Sequence, residues 1–235
     1  SEITLPTGID KDGRDRTAVC CLSSLNLEKY DEWKDDPDMI GDVMRFLDNV
    51  LSDFINKAPE QFKDAKYSAE RERSVGLGVM GFHSFLQQKR IPLESVMAKS
   101  WNKKIFKNIH EKVNQASKDL AEERGACPDA AEYGFKERFS NKTAIAPTAS
   151  ISIICGGASP GVEPIAANSY THKTLSGSFN VRNRYLEEIL ANHGKNDDET
   201  WSTITTNQGS VSHLDFLTDL EKDVFKTAFE LNQNW

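Results

Sequence analysis

Between Lys142 and Pro164 the chain reads KTAIAPTASISIICGGASPGVEP, its longest stretch with few charges and the one densest in small residues. Thr143 to Ala146 has the short, β-branched, apolar character of a buried strand, Pro147 ends that strand, and Thr148 or Ser150 is placed to cap a short helix through Ile154. Gly156 and Gly157 then stop the helix. A strand that turns directly into a helix leaves backbone N–H groups unpaired at the turn, where the helix dipole favours an anion. Hydroxyls at Thr148 and Ser150 add donors. The segment therefore reads either as a phosphate cradle or as an ordinary capped helix without a ligand, and the local pattern fits both.

Composition narrows the class. At 235 residues, 38% hydrophobic and 28% charged, the chain is long enough for one sizeable core and is expected to form a single domain over 1–235. A net charge of -7 with no basic run argues against direct nucleic-acid binding. No segment approaches the roughly 18 apolar residues of a membrane span, and no signal peptide is evident, so a cytoplasmic location is expected. Cys20, Cys21, Cys127 and Cys155 are spaced neither as a secreted disulfide framework nor as a paired zinc site, and no metal site is expected. The first residue is Ser and the last segment stops in an amphipathic pattern at Trp235, so the chain reads as a piece of something longer.

In chain order, SEITLPT (Ser1 to Thr7) alternates like a strand, a Gly- and Asp-rich turn follows to Arg16, and TAVCCLSSLNL (Thr17 to Leu27) reads as a second strand. Placed as neighbours in one sheet, the two strands would let Glu2 and Cys20 share a site. Pro37 to Lys57 carries apolar residues at three and four and predicts an amphipathic helix. Ser68 to Gln87 keeps a helical rhythm but holds Gly76, Gly78 and Gly81, so something must approach its backbone closely; close helix packing explains this better than a nucleotide loop, because GLGVMG lacks GxGxxG spacing. His83 reads as a packed or surface histidine. A long helix is expected from Pro92 to about Arg124 with Gly125 as its cap, an extended run over Val162 to Thr174, a short helix over Arg182 to His193, and a last helix from Asp215 to the end. Long helices alternating with short strands make the fold class α/β.

Several of these stretches together resemble the large, catalytic subunit of class I ribonucleotide reductase. SEITLP is similar to the continuation of that family's asparagine, x, cysteine, x, glutamate motif, with the radical cysteine falling just before Ser1. AVCCLSSLNL, SVGLGVMGFHSFL, ERGACP, APTASISIICGGASPGVEP and THKTLSGSFNVRN resemble further family segments in the family's order. The last favours class I over the cobalamin-dependent class II.

The resemblance implies part of a ten-stranded α/β barrel, incomplete in this chain. It implies that Glu2 exchanges a proton at the ribose hydroxyl, a role a carboxylate can fill, and that Cys20 is one of two redox-active cysteines, its partner lying earlier in the full chain. Adjacent strand residues point to opposite faces, so only one of Cys20 and Cys21 can face the interior, and alignment on Ala18 and Leu22 selects Cys20. Thr148, Ala149, Ser150 and Ile151 match the loop holding the substrate diphosphate, Ile151 standing where some members carry a hydroxyl. Cys127 and Cys155 match no catalytic position. Implied partners are a ribonucleoside diphosphate, the remaining large-subunit segments, a metal-containing radical-generating small subunit, a dithiol reductant of thioredoxin or glutaredoxin type, and a second large subunit in a homodimer. The chain alone, with no cofactor of its own, is expected to be inactive. A non-catalytic phosphate-binding or scaffold module that keeps the fold is the alternative, with a class II fragment as a mechanistic variant. Ser1 directly after the radical position would also suit an intein junction.

Overall fold

The computed structural model describes residues 3–175, 177–232 and 234–235. In chain order the elements are β1 (Gly8–Ile9), β2 (Asp15–Arg16), β3 (Leu22–Asn26), α1 (Tyr30–Trp33), α2 (Met39–Lys57), α3 (Lys63–Glu72), β4 (Gly76–Met80), α4 (Phe82–Gln88), α5 (Val96–Arg124) and α6 (Pro128–Glu132). Then come α7 (Ile151–Ile154), β5 (Ser169–Thr174), β6 (Gly177–Arg182), α8 (Arg184–Asn192), α9 (Asp198–Thr206) and α10 (Asp219–Val224). They fall into two compact units: residues 1–79 with 104–148, and residues 80–103 with 149–235.

Unit one is built on helices laid over short strands. Helix α2 buries Ile40, Met44, Leu47 and Leu51, one apolar stripe at helical spacing, and Asp36 accepts from the N–H groups of Asp38 and Met39 at its entrance. From α5 the unit receives Ile105, Ile109, Val113 and Leu120, all buried, and Gly125 ends that helix in the left-handed region at φ 88°. The helix begins at Val96, later than Pro92, because the Ser95 hydroxyl accepts the Ala98 N–H.

The glycine-bearing run is a strand, not a helix. Strand β4 is buried along its whole length and is hydrogen-bonded to β3, with the Gly76 N–H reaching the Cys21 carbonyl at 2.9 Å. On its other side Leu77 and Thr143 form a parallel bridge, so the expected strand at Thr143 is present as a short extended partner. A continuous apolar run buried on both faces carries no alternation, which is why its period misleads. The close approach is real: a β-carbon on Gly76 would stand 2.7 Å from the Ala144 β-carbon. The Ser1 to Thr7 run is also corrected. Residues 3–7 form no strand; the strands nearby are the two-residue pair β1 and β2, and β3 takes β4 as its partner.

Unit two has its own core, Leu186, Leu190, Trp201, Ile204, Val211, Leu217, Val224 and Phe225 among its members. Strands β5 and β6 make an antiparallel hairpin registered from Ser169↔Arg182 to Thr174↔Gly177, so Val162 to Thr174 is extended only in its second half. Helix α8 is capped by Asn183, whose side chain accepts the Tyr185 N–H, and Gly194 follows it at φ 66°. The expected long C-terminal helix is only α10, opened by a Thr218 and Glu221 capping box; turns at Leu214 and Leu217 place the same apolar residues in the core without a continuous helix. Asn168, 1% exposed, ties the unit together by donating Nδ2 to the carbonyls of Gly209 and Phe225, at 3.0 and 2.7 Å. Among the described residues the strands form three two-stranded sheets and no closed barrel.

Candidate functional site

The thiol pair stands at the entrance of β3. Cys20 is exposed and Cys21 is buried, the opposite-face placement that two consecutive extended residues require. Cys21 Sγ points to the carbonyl of Leu47 on α2 at 3.8 Å, and burial pushes its thiol pKa up, with the nearby Cys20 adding in the same direction against Arg73. Cys21 is therefore held as a neutral, packed thiol. Cys127 is also buried, while Cys155 is exposed at the C-terminal cap of α7.

The central turn takes the expected course. Ala144 donates to the Leu77 carbonyl at 3.3 Å, Thr148 adopts the left-handed region at φ 52°, and one helical turn, α7, follows. Ser150 occupies the N-cap, yet its side chain makes no capping bond, so its hydroxyl is not spent on the helix. Gly156 and Gly157, at φ 90° and 78°, turn the chain away; the N–H groups of Gly157 and Ala158 both reach the Ser152 carbonyl. Thr148 is buried, whereas Ala149, Ser150 and Ile151 are exposed. Thr148 closes unit one and Ala149 opens the second stretch of unit two. Glu2 lies outside the described residues.

Behind the turn, unit two holds a cavity of about 570 Å³ lined in part by Ala149, Ser152, Gly157, Asn168, Tyr170 and Asn183. Its amides satisfy one another, with Asn183 Nδ2 donating to Gln87 Oε1 at 3.0 Å and to Asn168 Oδ1 at 2.8 Å. His83, 1% exposed, accepts the Ile165 N–H on Nδ1, and desolvation lowers its pKa to about 4, so it is a packed, neutral imidazole.

Two charged constellations escaped the sequence reading. In unit one Arg16 and Arg71 close on the two oxygens of Asp129, each at 2.7 Å, beside a cavity of about 820 Å³; Arg71 also reaches Glu132. Next to them Glu72 is 1% exposed, accepts from Ser74 Oγ at 3.2 Å, and is raised by burial to about 6, against the opposing charge of Arg16. The other is Asp48, fully buried among Arg73, Arg124 and Arg138. Burial alone would raise its carboxyl, but the hydrogen bond from Arg138 and the charges of Arg73 and Arg138 hold it below the usual range. No sequence signal marks either group, because the partners lie 25 to 113 positions apart. Among the described residues no group of three or more His, Cys, Asp or Glu is arranged to hold a metal ion, and no helix is long and apolar enough to cross a membrane.

Paired strands backed by long helices, a cysteine pair at a strand entrance and a glycine-bounded turn after a short extended segment make this an α/β protein. The family model for the ribonucleotide reductase barrel domain matches residues 1–138 and 129–235, and the chain belongs to that family. It is 52% identical over 239 residues to the ribonucleoside-diphosphate reductase large subunit of Invertebrate iridescent virus 6, covering 100% of this chain and 24% of that protein. Identity to the large subunit of Invertebrate iridescent virus 3 is 46%, over 99% of this chain and 36% of that protein. The Vitamin B12-dependent ribonucleoside-diphosphate reductase of Thermoplasma acidophilum is 34% identical, over 92% of this chain and 29% of that protein. Among solved structures, the Actinobacillus ureae class Id ribonucleotide reductase alpha subunit superposes with a TM-score of 0.82 at 42% identity, covering 90% of this chain and 39% of that one. The chain thus spans between a quarter and two fifths of the length of these relatives.

Proposed function

We propose that this chain is part of the catalytic barrel of a class I ribonucleoside-diphosphate reductase, which reduces ribonucleotides to deoxyribonucleotides by thiyl-radical chemistry. The observation that carries the reading is identity of 52% to a reductase large subunit along the whole chain. In this reading Glu2 accepts and returns the proton at the ribose hydroxyl. Cys20 gives up its thiol hydrogen as it closes a disulfide with a cysteine elsewhere in the large subunit, and the pair supplies the two electrons for loss of the 2′-hydroxyl. Its exposure beside a buried Cys21 supports that assignment. Thr148, Ala149, Ser150 and Ile151 present N–H groups and hydroxyls to the substrate diphosphate, which the uncapped Ser150 hydroxyl favours. The oxidant comes from a metal-containing small subunit and the electrons from a thioredoxin- or glutaredoxin-type dithiol, in a cytoplasmic homodimer of large subunits.

The test is deoxynucleotide formation by the complete large subunit with small subunit and dithiol. Cys20→Ser should abolish dithiol-dependent turnover and Cys21→Ser should leave it within about tenfold, since only one residue of the pair can meet a partner at disulfide distance. Equal loss in both, or loss in Cys21→Ser alone, overturns the assignment. The Thermoplasma acidophilum relative motivates a second reading, a class II enzyme. Turnover that requires adenosylcobalamin and ignores a small subunit would select it.

A further inference from the structure

The carboxylate of Asp48 is met from three directions within unit one. Arg73, at the end of α3, donates Nε to Oδ1 at 2.8 Å and Nη2 to the Asp48 carbonyl at 2.9 Å. Arg138, from the loop after α6, donates Nε to Oδ1 at 2.9 Å and Nη2 to Oδ2 at 3.2 Å. Arg124, the last residue of α5, donates Nη1 to Oδ2 at 2.9 Å. The residue before Asp48, Leu47, supplies the carbonyl that faces Cys21 Sγ. Three residues after Arg73, Gly76 supplies the N–H that holds the Cys21 carbonyl. Cys21 is therefore gripped by its side chain on α2 and by its backbone on β4, and Asp48 with Arg73 bolts α2 to the turn from which β4 starts.

We propose that Asp48 and its three arginines are a positioning device for the thiol pair, keeping Cys21 buried so that Cys20 is the thiol presented outward. Consecutive extended residues face opposite ways, so a rotation of this segment that releases Cys21 withdraws Cys20. Apolar packing of α2 alone is non-directional and tolerates small slides and rotations. Charge-assisted bonds from three separate elements to two carboxylate oxygens fix both the depth and the rotation of the helix. The functional meaning rests on the reading of Cys20 as a redox thiol; the geometry does not.

The experiment is brief exposure of the complete large subunit to iodoacetamide, with the label located on Cys20 or Cys21 by tandem mass spectrometry. The parent protein should label Cys20 at least about tenfold faster than Cys21, as access dictates. Asp48→Asn and Arg124→Gln should each reduce that ratio by about threefold or more by freeing Cys21. Leu51→Ala, which loosens the buried face of α2 while leaving every hydrogen bond of the cluster in place, should leave the ratio within about twofold. An unchanged ratio in Asp48→Asn, or an equal fall in Leu51→Ala, overturns the proposal. Should Asp48→Asn fail to fold, Arg124→Gln decides, because Arg124 is the most exposed of the three at 28%. Turnover is measured on the same proteins. Unimpaired dithiol-dependent turnover in Cys20→Ser would remove the redox reading of Cys20 while the labelling ratios still judge the positioning role.

Discussion

A β-carbon on Gly78 would collide with the backbone carbonyl of Ala144, so β4 and the extended segment leading to the central turn lie closer than any side chain permits. Gly78→Ala should destabilise unit one by at least about 1–3 kcal/mol, since the obstacle is backbone and cannot rotate away. Gly41, on α2, has open space where its β-carbon would go, and Gly41→Ala should instead stabilise by about 0.5–1 kcal/mol. Denaturant melts of the two variants check the contrast, and a Gly78→Ala variant as stable as its parent would show that the close approach is not there.

Glu72 titrates in favour of acid. Its folded pKa of about 6 lies above the ordinary 4.5, so the folded state binds the proton more tightly, and stability from this group rises as pH falls through that window. The shift corresponds to about 2 kcal/mol at most. Glu72→Gln should therefore stabilise the protein near about pH 8 and have little effect near about pH 4. Parallel melts at both pH values decide it; a Gln variant that is destabilised equally at both would show the charge to be satisfied.

His83 acts in the opposite sense. Its folded pKa is near 4, below the ordinary 6.5, so the contribution is present above the unfolded value and is lost as pH falls toward the folded one. Hydrogen-exchange protection around α4 and Ile165, taken relative to the intrinsic exchange rate at each pH, should fall as pH drops between those two values. His83→Asn, which keeps an acceptor near the Ile165 N–H, should flatten that acid response. Persistence of the full response in the variant would assign it to other groups.

Asn168→Ala should cost about 2–4 kcal/mol in unit two, because it strips partners from the Gly209 and Phe225 carbonyls and from the Asn183 amide at once. Asn168→Asp keeps one acceptor but loses both donors, and should be no better. A loss under about 0.5 kcal/mol in either variant would mean that water replaces the side chain.

For the central turn, Ser150→Pro removes one N–H from the exposed face of Ala149 to Ile151 and fixes its backbone. In the complete subunit nucleoside diphosphate binding should weaken by about tenfold or more if that face meets the diphosphate. A folded variant with unchanged affinity would leave the segment as a helix entrance without a ligand.

What the sequence made legible were elements that carry their own signal. Helix α2 announces itself through Ile40, Met44, Leu47 and Leu51, and the end of α5 through Gly125. The turn at Thr148 was readable because Pro147, the hydroxyls and the paired glycines punctuate it. Strand β4 was not, since burial on both faces erases the period-two pattern. The last helix was overdrawn because Leu217, Val224 and Phe225 are spaced to fill a core whether or not the backbone between them is helical. Asp48 and Glu72 were invisible for a different reason: their meaning lies in arginines brought from far along the chain.

Arg73 stands in the left-handed region at φ 41°, a conformation that costs an ordinary side chain about 1–2 kcal/mol and that glycine would adopt freely. Its guanidinium is at the same time one of the three bonded to Asp48. Backbone comfort and charge pairing thus make opposite demands on one position. Screens that select only for heat resistance will meet a local optimum there: Arg73→Gly relaxes the turn but leaves a buried carboxylate one partner short, so improvement requires changing both residues together.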